Sequence, residues 1–447
     1  MKVEKSRSRG AMANAFDPSS SERLDRDTRR LIERRNKLLG PAYRLFYKEP
    51  VEVKHANGVF LYDSNGNRYL DAYNNVASVG HCHPRVVEAV ARQMRTICTH
   101  TRYVQEEILD YAEDLLSTIG GSVGHVMFTC TGSEANDLAI RIAKHKTGNA
   151  GIIITDEAYH GNSDLIAGLS PSLGPHSALG PWVRRVPSPD SYRHSVDAMA
   201  AWMADNVRKQ IEDLERRGQG LAAFIADSVF SSDGIFTEPT DLLAPVVEVV
   251  HAAGGLFIAD EVQSGFGRTG DKMWGFQRHR IDPDIVTMGK PMGNGFPVAA
   301  VALSPSVVRE FGRDTRYFNT FGGNSVAIAA AQATLNVIRD ERLQENAIRV
   351  GQIIRDGFVE LARRFEMIGD VRGAGLYTGV ELVRCQHSKE PDSEAALAIV
   401  NGLRSRRVLI SATGLNANVL KIRPPLVFSQ SNADHLLTET EAVLASL

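Results

Sequence analysis

The stretch LFIADE, residues 256–261, decides the fold, because an apolar run that ends in acidic residues is typical of a buried strand with carboxylates at its carboxyl end. The stretch TMGKPMGNG, residues 287–295, follows and places Lys290 among glycines, where a flat molecule can come close. Such a lysine can form a Schiff base, and a carboxylate such as Asp260 can hold a pyridine nitrogen in its protonated form. Each residue alone would be ordinary, as a surface lysine or a helix-capping aspartate. Together they predict a site for pyridoxal 5'-phosphate (PLP).

Short apolar runs alternate with amphipathic segments around these two stretches. Buried strands are predicted at residues 126–128, 152–154, 222–225, 256–258 and 285–286. One helical pattern between them covers residues 242–250 and is ended by Gly254 and Gly255. This alternation predicts an α/β fold in which a mostly parallel sheet lies between helices. Functional groups should then gather at the carboxyl ends of the strands, where Asp260 lies.

The outer parts of the chain lack this alternation. Helical stretches are predicted at 325–337, 342–365 and 393–405, and strand-like pieces at 408–410 and 419–422. Residues 51–70 are typical of a hairpin that packs with this C-terminal part. We therefore expect an N-terminal segment packing with the small domain (1–75), a large PLP-binding domain (76–325) and a small α+β domain (326–447). The Pro- and Ser-rich residues 170–193 are expected to form a long surface loop.

The composition argues against several classes of function. The chain has 447 residues and a formal net charge of −2, which gives no support to binding of nucleic acid or of an anionic membrane. No apolar stretch approaches the ~20 residues that span a bilayer. Residues 1–9 are basic without the apolar core of a secretory signal. Their composition also suits an organellar transit peptide, but we expect a short disordered lead.

The cysteines and histidines give no clear sign of a metal site. The four cysteines are scattered without a CxxC pair, which favours free thiols in a reducing compartment. The run His81-Cys82-His83 resembles a metal cluster, but adjacent side chains on a loop point apart and no further ligands stand at metal-site spacing. We therefore expect a cytoplasmic protein without a metal.

Two motifs suit the binding of a phosphate group. TGSEAN, residues 131–136, follows a predicted strand and opens a helix, so Gly132 and Ser133 can hold an anion at the helix N-terminus. Ser133 is also a candidate for the N-cap of that helix. NTFGGN, residues 319–324, offers the hydroxyl of Thr320 beside glycines.

The pyridine ring also has candidate partners. Tyr159 follows a predicted strand and can cover one face of the ring, Val262 can cover the other face, and Gln263 can bond the 3'-oxygen. The run GFGRTG, residues 265–270, matches GxGxxG and raises a nicotinamide-dependent enzyme as an alternative. It begins beyond the strand end, opens no clear helix and lacks the acidic residue of a βαβ unit, which disfavours that alternative.

The ordered motifs GSEAN, YHG, IADEVQSGFGRTG, TMGKPMGNG and NTFGGN resemble the class III (ω) family of PLP-dependent aminotransferases, which have fold type I. The resemblance covers the chain from about Gly40 onward. It implies that Lys290 carries the Schiff base, that Asp260 pairs with the ring nitrogen, and that the phosphate and ring partners act as described above. It also implies that Thr320 reaches the phosphate of the neighbouring subunit's cofactor. A homodimer with shared active sites is therefore expected, and a tetramer is left open.

One position bears on the substrate. In the family's transaminases an arginine three residues before a Pro-Pro pair commonly binds the substrate carboxylate, and here that position is Lys421. Lysine cannot fork onto a planar carboxylate as arginine does. In an extended strand Lys421 and Arg423 point to the same face, and two cations there suit a dianionic phosphate. The alternative interpretation is a solvated basic edge.

Several stretches are similar to the branch of this family that acts on phosphorylated amines, the ethanolamine-phosphate and phosphohydroxylysine phospho-lyases. They are NNVA (74–77), VGHCHP (79–84), PSPDSYR (187–193) and VLKI (419–422). Ser228, in place of the usual proline, also fits that branch. Asp227 in place of glutamate, and Cys130-Thr131 in place of Asn-Ser, depart from the family pattern.

The resemblance implies a phospho-lyase that converts O-phosphoethanolamine to acetaldehyde, ammonia and phosphate. Lys290, released by the substrate amine, would remove a proton from the carbon that bears nitrogen, and elimination would outrun reprotonation because phosphate leaves easily. The alternatives are an aminotransferase between an amine or ω-amino acid and a keto acid such as pyruvate, and a phosphonate ammonia-lyase that releases no phosphate. A non-catalytic binding protein is disfavoured because Lys290 and Asp260 are both present.

Overall fold

The computed structural model describes Met12 and residues 14–447, and the expectation for residues 1–9 lies outside this part. The strands of the described part are β1 (Val53–Asn57), β2 (Phe60–Asp63), β3 (Arg68–Asp71), β4 (His125–Thr129), β5 (Gly151–Thr155), β6 (Val183–Val186), β7 (Leu221–Asp227), β8 (Leu256–Asp260), β9 (Ile285–Met288), β10 (Ala299–Leu303), β11 (Ile368–Ala374), β12 (Tyr377–Leu382), β13 (Val408–Leu409), β14 (Ser411–Thr413) and β15 (Val419–Ile422). The α-helices are α1 (Arg26–Leu39), α2 (Pro84–Thr96), α3 (Glu106–Ile119), α4 (Gly132–Thr147), α5 (Asp164–Ala167), α6 (Val196–Arg216), α7 (Ala244–Ala252), α8 (Pro305–Asp314), α9 (Ser325–Asp340), α10 (Leu343–Ala362), α11 (Ser393–Ser405) and α12 (Gln430–Leu444). Short 3-10 helices cover Pro18–Arg23, Pro171–Leu173, Gly275–His279 and Lys290–Gly293.

Seven strands form the central sheet in the order β4-β10-β9-β8-β7-β5-β6. The last five strands of this order pair in parallel, whereas β10 runs antiparallel to both β4 and β9. The prediction of a mostly parallel sheet is confirmed, and all five predicted strands are present. Because β7 and β8 are in register, Asp227 lies opposite Asp260 at the carboxyl edge. Two carboxylates therefore end neighbouring strands.

Helices cover both faces of this sheet, as expected. Successive residues of β5 point to opposite faces. Ile152 and Ile154 pack in one apolar cluster with Leu138 of α4, whereas Ile153 packs in the other cluster with Val207 of α6. Burial on both faces explains why these strands are nearly continuous apolar runs in the sequence.

Two smaller sheets lie outside the central one. β1, β2 and β3 form an antiparallel meander to which β13 adds in parallel, with Leu70 opposite Val408. The predicted hairpin is thus present with one strand more. β11, β12, β15 and β14 form an antiparallel sheet that contacts α10 and α11. We keep the division at residues 75/76 and 325/326 as a proposal.

The structure corrects two details of the expected elements. Residues 170–193 are not one loop, since they contain Pro171–Leu173 and β6, the edge strand that pairs with β5. The sequence pattern missed β6 because it has only four residues, two of them arginines. Helix α7 begins at Ala244, with a proline in its first turn, rather than at residue 242.

The histidines of the His81-Cys82-His83 run contact separate carboxylates in the structure. His81 contacts Asp71 and His83 contacts Glu341, with nitrogen–oxygen distances of 2.8 and 3.0 Å. No group of three metal-ligating side chains occurs in the part of the chain described. Among these same residues, no helix has the length and apolar character required to cross a bilayer.

Candidate active site

Lys290 lies just beyond β9, at the carboxyl edge of the central sheet. It opens a 3-10 helix directly after Gly289, and its φ of +21° is a conformation that residues other than glycine rarely adopt. Its Nζ lies 6.0 Å from the centre of the Tyr159 ring. Burial, together with the charge of Arg423, lowers the pKa of Lys290 to about 8. A larger fraction of this amine is therefore neutral near pH 7 than for an exposed lysine.

Asp260, the last residue of β8, is buried and held by three nitrogen atoms. Its Oδ2 accepts a hydrogen bond from Asn136 Nδ2 at 2.9 Å and lies 2.7 Å from His160 Nδ1. Its Oδ1 accepts from the backbone N–H of Val262 at 3.1 Å. Hydrogen bonds of this kind stabilise a carboxylate and fix its orientation. Sequence reasoning assigned no role to Asn136 or His160, although both stand in the quoted motifs.

A second layer of hydrogen bonds orients these partners. Asn136 Nδ2 also donates to the backbone oxygen of His160 at 2.7 Å, and Thr287 Oγ1 donates to Asn136 Oδ1 at 2.6 Å. All three side chains are buried. These hydrogen bonds restrict the orientations that Asn136 and His160 can adopt. Asp260 is thus positioned by residues from α4, from the segment after β5 and from β9.

The N-terminus of α4 faces the same site. Its N-cap is Thr131, which forms a reciprocal capping box with Glu134, so the expectation that Ser133 is the N-cap is wrong. Ser133 Oγ instead bonds Asn162, as donor to Oδ1 at 3.0 Å and as acceptor from the backbone N–H at 3.1 Å. A Cβ on Gly132 would stand 3.0 Å from a Val262 methyl group. Glycine at this position therefore allows Val262 to pack closely against the end of the helix.

One cavity of about 150 Å³ joins these parts. Its lining includes seven of the predicted site residues, namely Gly132, Ser133, Tyr159, Asp260, Val262, Gln263 and Lys290, and adds Asn136, His160, Gly161 and Asp227. The lining fits PLP, because a buried carboxylate, a helix N-terminus with an adjacent glycine, and a lysine surround one space. Thr320 is exposed and does not line this cavity.

Lys421 and Arg423 lie beside the cavity and are both buried, each 7% exposed. Lys421 Nζ donates to the backbone oxygen of Ser231 at 3.3 Å. Arg423 hydrogen-bonds Gln263 Oε1 and lies over the Tyr73 ring, 4.5 Å from its centre. The alternative of a solvated basic edge is therefore wrong. The role of Gln263 at the 3'-oxygen stays a prediction.

The charged groups around Arg423 shift one another's pKa values. Burial and the charge of Arg423 hold the pKa of Lys421 well below its usual value. Burial raises the pKa of Asp227, whose Oδ2 accepts a hydrogen bond from the backbone N–H of Ser231 at 3.0 Å. An incoming dianion would restore the full charge of Lys421. The arrangement thus suits a strongly anionic ligand.

The structure also gives a reason for the serine at position 228. Its Oγ donates to Glu261 Oε1 at 2.5 Å, and Glu261 also accepts from Ser264 and from the backbone N–H groups of Gly275 and Phe276. A proline at 228 could not make the first bond. Burial raises the pKa of Glu261 to about 7. The residue that departs from the usual family pattern thus supports the chain next to Asp260.

The family known as Aminotransferase class-III matches residues 46–444. The chain belongs to this family. It is 41% identical over 419 residues to "Alanine--glyoxylate aminotransferase 2-like" of Drosophila melanogaster, covering 91% of this chain and 85% of that protein. It is 39% identical over 439 residues to "Ethanolamine-phosphate phospho-lyase homolog 1" of Caenorhabditis elegans, covering 94% of each.

Solved structures agree with this assignment. A phospholyase from Arthrobacter in complex with phosphoethanolamine is 42% identical, with a TM-score of 0.90, over 93% of this chain and all of that chain. A transaminase from the marine bacterium Virgibacillus is 27% identical, with a TM-score of 0.84, over 93% of this chain and 98% of that one. The protein is accordingly a PLP-dependent enzyme of fold type I.

Proposed function

We propose that this class-III enzyme is a phospho-lyase that releases phosphate from a phosphorylated amine. The observation that carries this proposal is the charge around the cavity. Lys290, Lys421 and Arg423 lie near two carboxylates, Asp227 and Asp260. Lys421, Arg423 and Asp260 are buried, whereas Asp227 and Lys290 are half-buried. A phosphate monoester carries a charge near −2 at pH 7, which these cations can match. A neutral amine tail would leave these cations without a counter-charge in the protein interior, which is unfavourable.

We take O-phosphoethanolamine as the substrate. The Arthrobacter phospholyase was solved with phosphoethanolamine, and the Caenorhabditis elegans relative is named for ethanolamine phosphate. Lysine at 421 in place of the arginine typical of the family's transaminases also supports a tetrahedral anion over a planar carboxylate.

Each residue of the site then has a task. PLP, when bound, supplies the electron sink for the pair of electrons left by proton removal. Lys290, once its amine is free and neutral, takes the proton from the carbon that bears the substrate nitrogen. Asp260, oriented by His160 and Asn136, provides a negative partner for the pyridine nitrogen.

The phosphate group of the substrate is assigned to the two cations of strand β15 and the residue that follows it. Lys421 and Arg423 would hold the phosphate oxygens and stabilise the charge that develops as the carbon–oxygen bond breaks. Water then converts the two-carbon product to acetaldehyde and ammonia. The sum is O-phosphoethanolamine plus water giving acetaldehyde, ammonia and phosphate.

The alternative is an aminotransferase that moves an amino group between an amine or ω-amino acid and a keto acid such as pyruvate. The 41% identity to the Drosophila melanogaster protein, named as an aminotransferase, favours this second candidate. In that case Lys290 would move the proton without loss of a leaving group, and a keto acid would be needed to complete the reaction.

The deciding experiment measures phosphate and acetaldehyde released from O-phosphoethanolamine by the PLP-loaded enzyme without any keto acid. We expect equal amounts of both products over many turnovers. Absence of release, together with bleaching of the cofactor colour that pyruvate reverses, would show an aminotransferase instead. Ethanolamine serves as the matched control substrate because it lacks only the phosphate.

We also propose that the enzyme acts as a cytoplasmic homodimer with shared active sites; a tetramer is left open. An apolar face, formed by Tyr103, Val104, Phe318 and Phe321, supports the dimer. Val104 is 98% exposed and Phe321 is 69% exposed, which is unusual for large apolar side chains. Thr320 stands within this face, so a second copy seated there could receive its hydroxyl at the cofactor phosphate.

A further inference from the structure

Arg268, in the run GFGRTG, is a buried cation whose role the proposed function does not yet explain. It is 2% exposed, and within the described part of the chain no carboxylate is among the groups that shift its pKa. Burial, together with the charge of Arg423, lowers the pKa of Arg268 to about 9. Burial of a charge without a counter-ion is unfavourable, so the hydrogen bonds of Arg268 have to compensate for its lost hydration.

The hydrogen bonds of Arg268 join two separate backbone segments. Its Nη1 donates to the backbone oxygen of Leu376 at 3.1 Å and also to that of Pro424. Its own backbone oxygen accepts from the N–H of Leu376 at 3.1 Å. The approach is so close that a Cβ on Gly375 would stand 2.5 Å from the Arg268 oxygen. Arg268 therefore fixes Pro424 relative to the turn before β12.

Pro424 directly follows Arg423, whose side chain reaches the site. The backbone N–H of Arg423 donates to Ala72 at 3.0 Å, so one side of this residue is held by the N-terminal segment. The Pro424 oxygen, held by Arg268, fixes the other side. Between these two anchors the Arg423 side chain points to Gln263 and Tyr73.

We propose that Arg268 is a positioning residue for the substrate phosphate, which acts by holding Pro424 and thereby placing Arg423. This inference rests on the proposed function, since it assigns Arg423 to the phosphate. A merely structural Arg268 would affect stability alone. A positioning Arg268 also changes how well the site distinguishes a phosphorylated amine from a plain amine.

The test compares Arg268→Gln and Arg268→Lys with a matched control, Arg355→Gln. Arg355 Nη1 donates to the backbone oxygen of Gly375 at 2.8 Å, on the same turn but without a bond to Pro424. The affinities of the PLP-loaded variants for 2-aminoethylphosphonate and for ethanolamine are read from the change in cofactor absorbance. The phosphonate carries the dianion but cannot release phosphate, so the readout does not depend on turnover.

We expect Arg268→Gln to reduce the preference for the phosphonate over ethanolamine about tenfold, the factor that corresponds to 1.4 kcal/mol. Arg268→Lys should lose less, because it keeps the charge. Arg355→Gln should keep the wild-type preference even if its Tm falls. An unchanged preference in Arg268→Gln, or an equal loss in Arg355→Gln, would overturn the inference.

Two further measurements keep the result decisive. If Arg268→Gln is not recovered as a folded, PLP-loaded protein, the preference of Arg268→Lys decides: a loss supports positioning and a wild-type value contradicts it. Phosphate release from O-phosphoethanolamine by the wild-type enzyme is measured in parallel. Its absence contradicts the proposed function, whereas an unchanged preference in the Arg268 variants contradicts only the role of Arg268.

Discussion

At the scale of single residues, the site depends on how Asp260 and Lys290 are held. Both were predicted from the sequence, because a carboxylate at a strand end and a lysine among glycines are local patterns. His160 and Asn136 were not, because a hydrogen bond to a residue 100 or more positions away leaves no local pattern. Sequence motifs thus named the reacting groups, and tertiary structure alone showed what orients them.

The lowered pKa of Lys290 predicts how the protein without cofactor captures PLP. Only the neutral amine attacks the aldehyde, and the pKa of about 8 is set by burial and by the charge of Arg423. The capture rate should rise about fivefold between pH 7 and 8 and level off above pH 9, as expected for one proton lost near pH 8. Stopped-flow absorbance measures it. A rate that rises about tenfold between pH 8 and pH 9 would show an unperturbed lysine.

Asp260→Asn should lower turnover severely while leaving the protein folded. The amide keeps the shape and can still accept from Val262, but it removes the negative charge opposite the pyridine nitrogen. We expect a loss of about 100-fold to 1,000-fold in kcat, as for other losses of a preorganised charge partner. Steady-state phosphate release and thermal unfolding would be compared. Near-normal kcat would rule out this role for Asp260.

Among the secondary-structure elements, strand β15 has a sequence that does not determine whether its cations are exposed or buried. The motif VLKI and the following Arg423 were recognised, but exposed and buried cations have the same sequence pattern. The neighbours of β15 decide the matter, because β12 and β14 flank it in the sheet and Ser231 covers Lys421. Edge strand β6 was not predicted because its two arginines make its sequence polar, although it pairs with β5 along its whole length.

Lys421→Ala should raise KM for O-phosphoethanolamine more than it raises the Kd for ethanolamine, which lacks the leaving group and whose binding is read from the change in cofactor absorbance. Loss of a charged hydrogen-bond donor typically costs about 1.5–3 kcal/mol, so an increase of about tenfold to 100-fold is expected. Arg407→Ala, an exposed cation just before β13, is the matched control and should change neither value. Equal increases in the two constants would mean that Lys421 supports the fold and does not bind the phosphate.

At the scale of the whole molecule, the α/β architecture followed from the alternation of strands and helices, but the assembly did not. The apolar face lies on the segments after α2 and after α8, which are far apart in sequence. Arg102 over the Phe318 ring, 3.7 Å from its centre, joins them into one surface. Only tertiary structure brings these side chains together around Thr320.

Phe321→Glu should weaken the proposed homodimer, because a charge would be buried where an apolar side chain meets a second copy. Sedimentation should show the wild type as a dimer and this variant shifted toward monomer, with weaker retention of PLP. Val359→Glu, on the exposed side of α10, is the control and should stay dimeric. Thr320→Ala should stay dimeric yet bind PLP less tightly, since it removes one hydroxyl from the partner's phosphate site. A monomeric wild type, or a Thr320→Ala protein with unchanged PLP affinity, would show that the sites are not shared across this face.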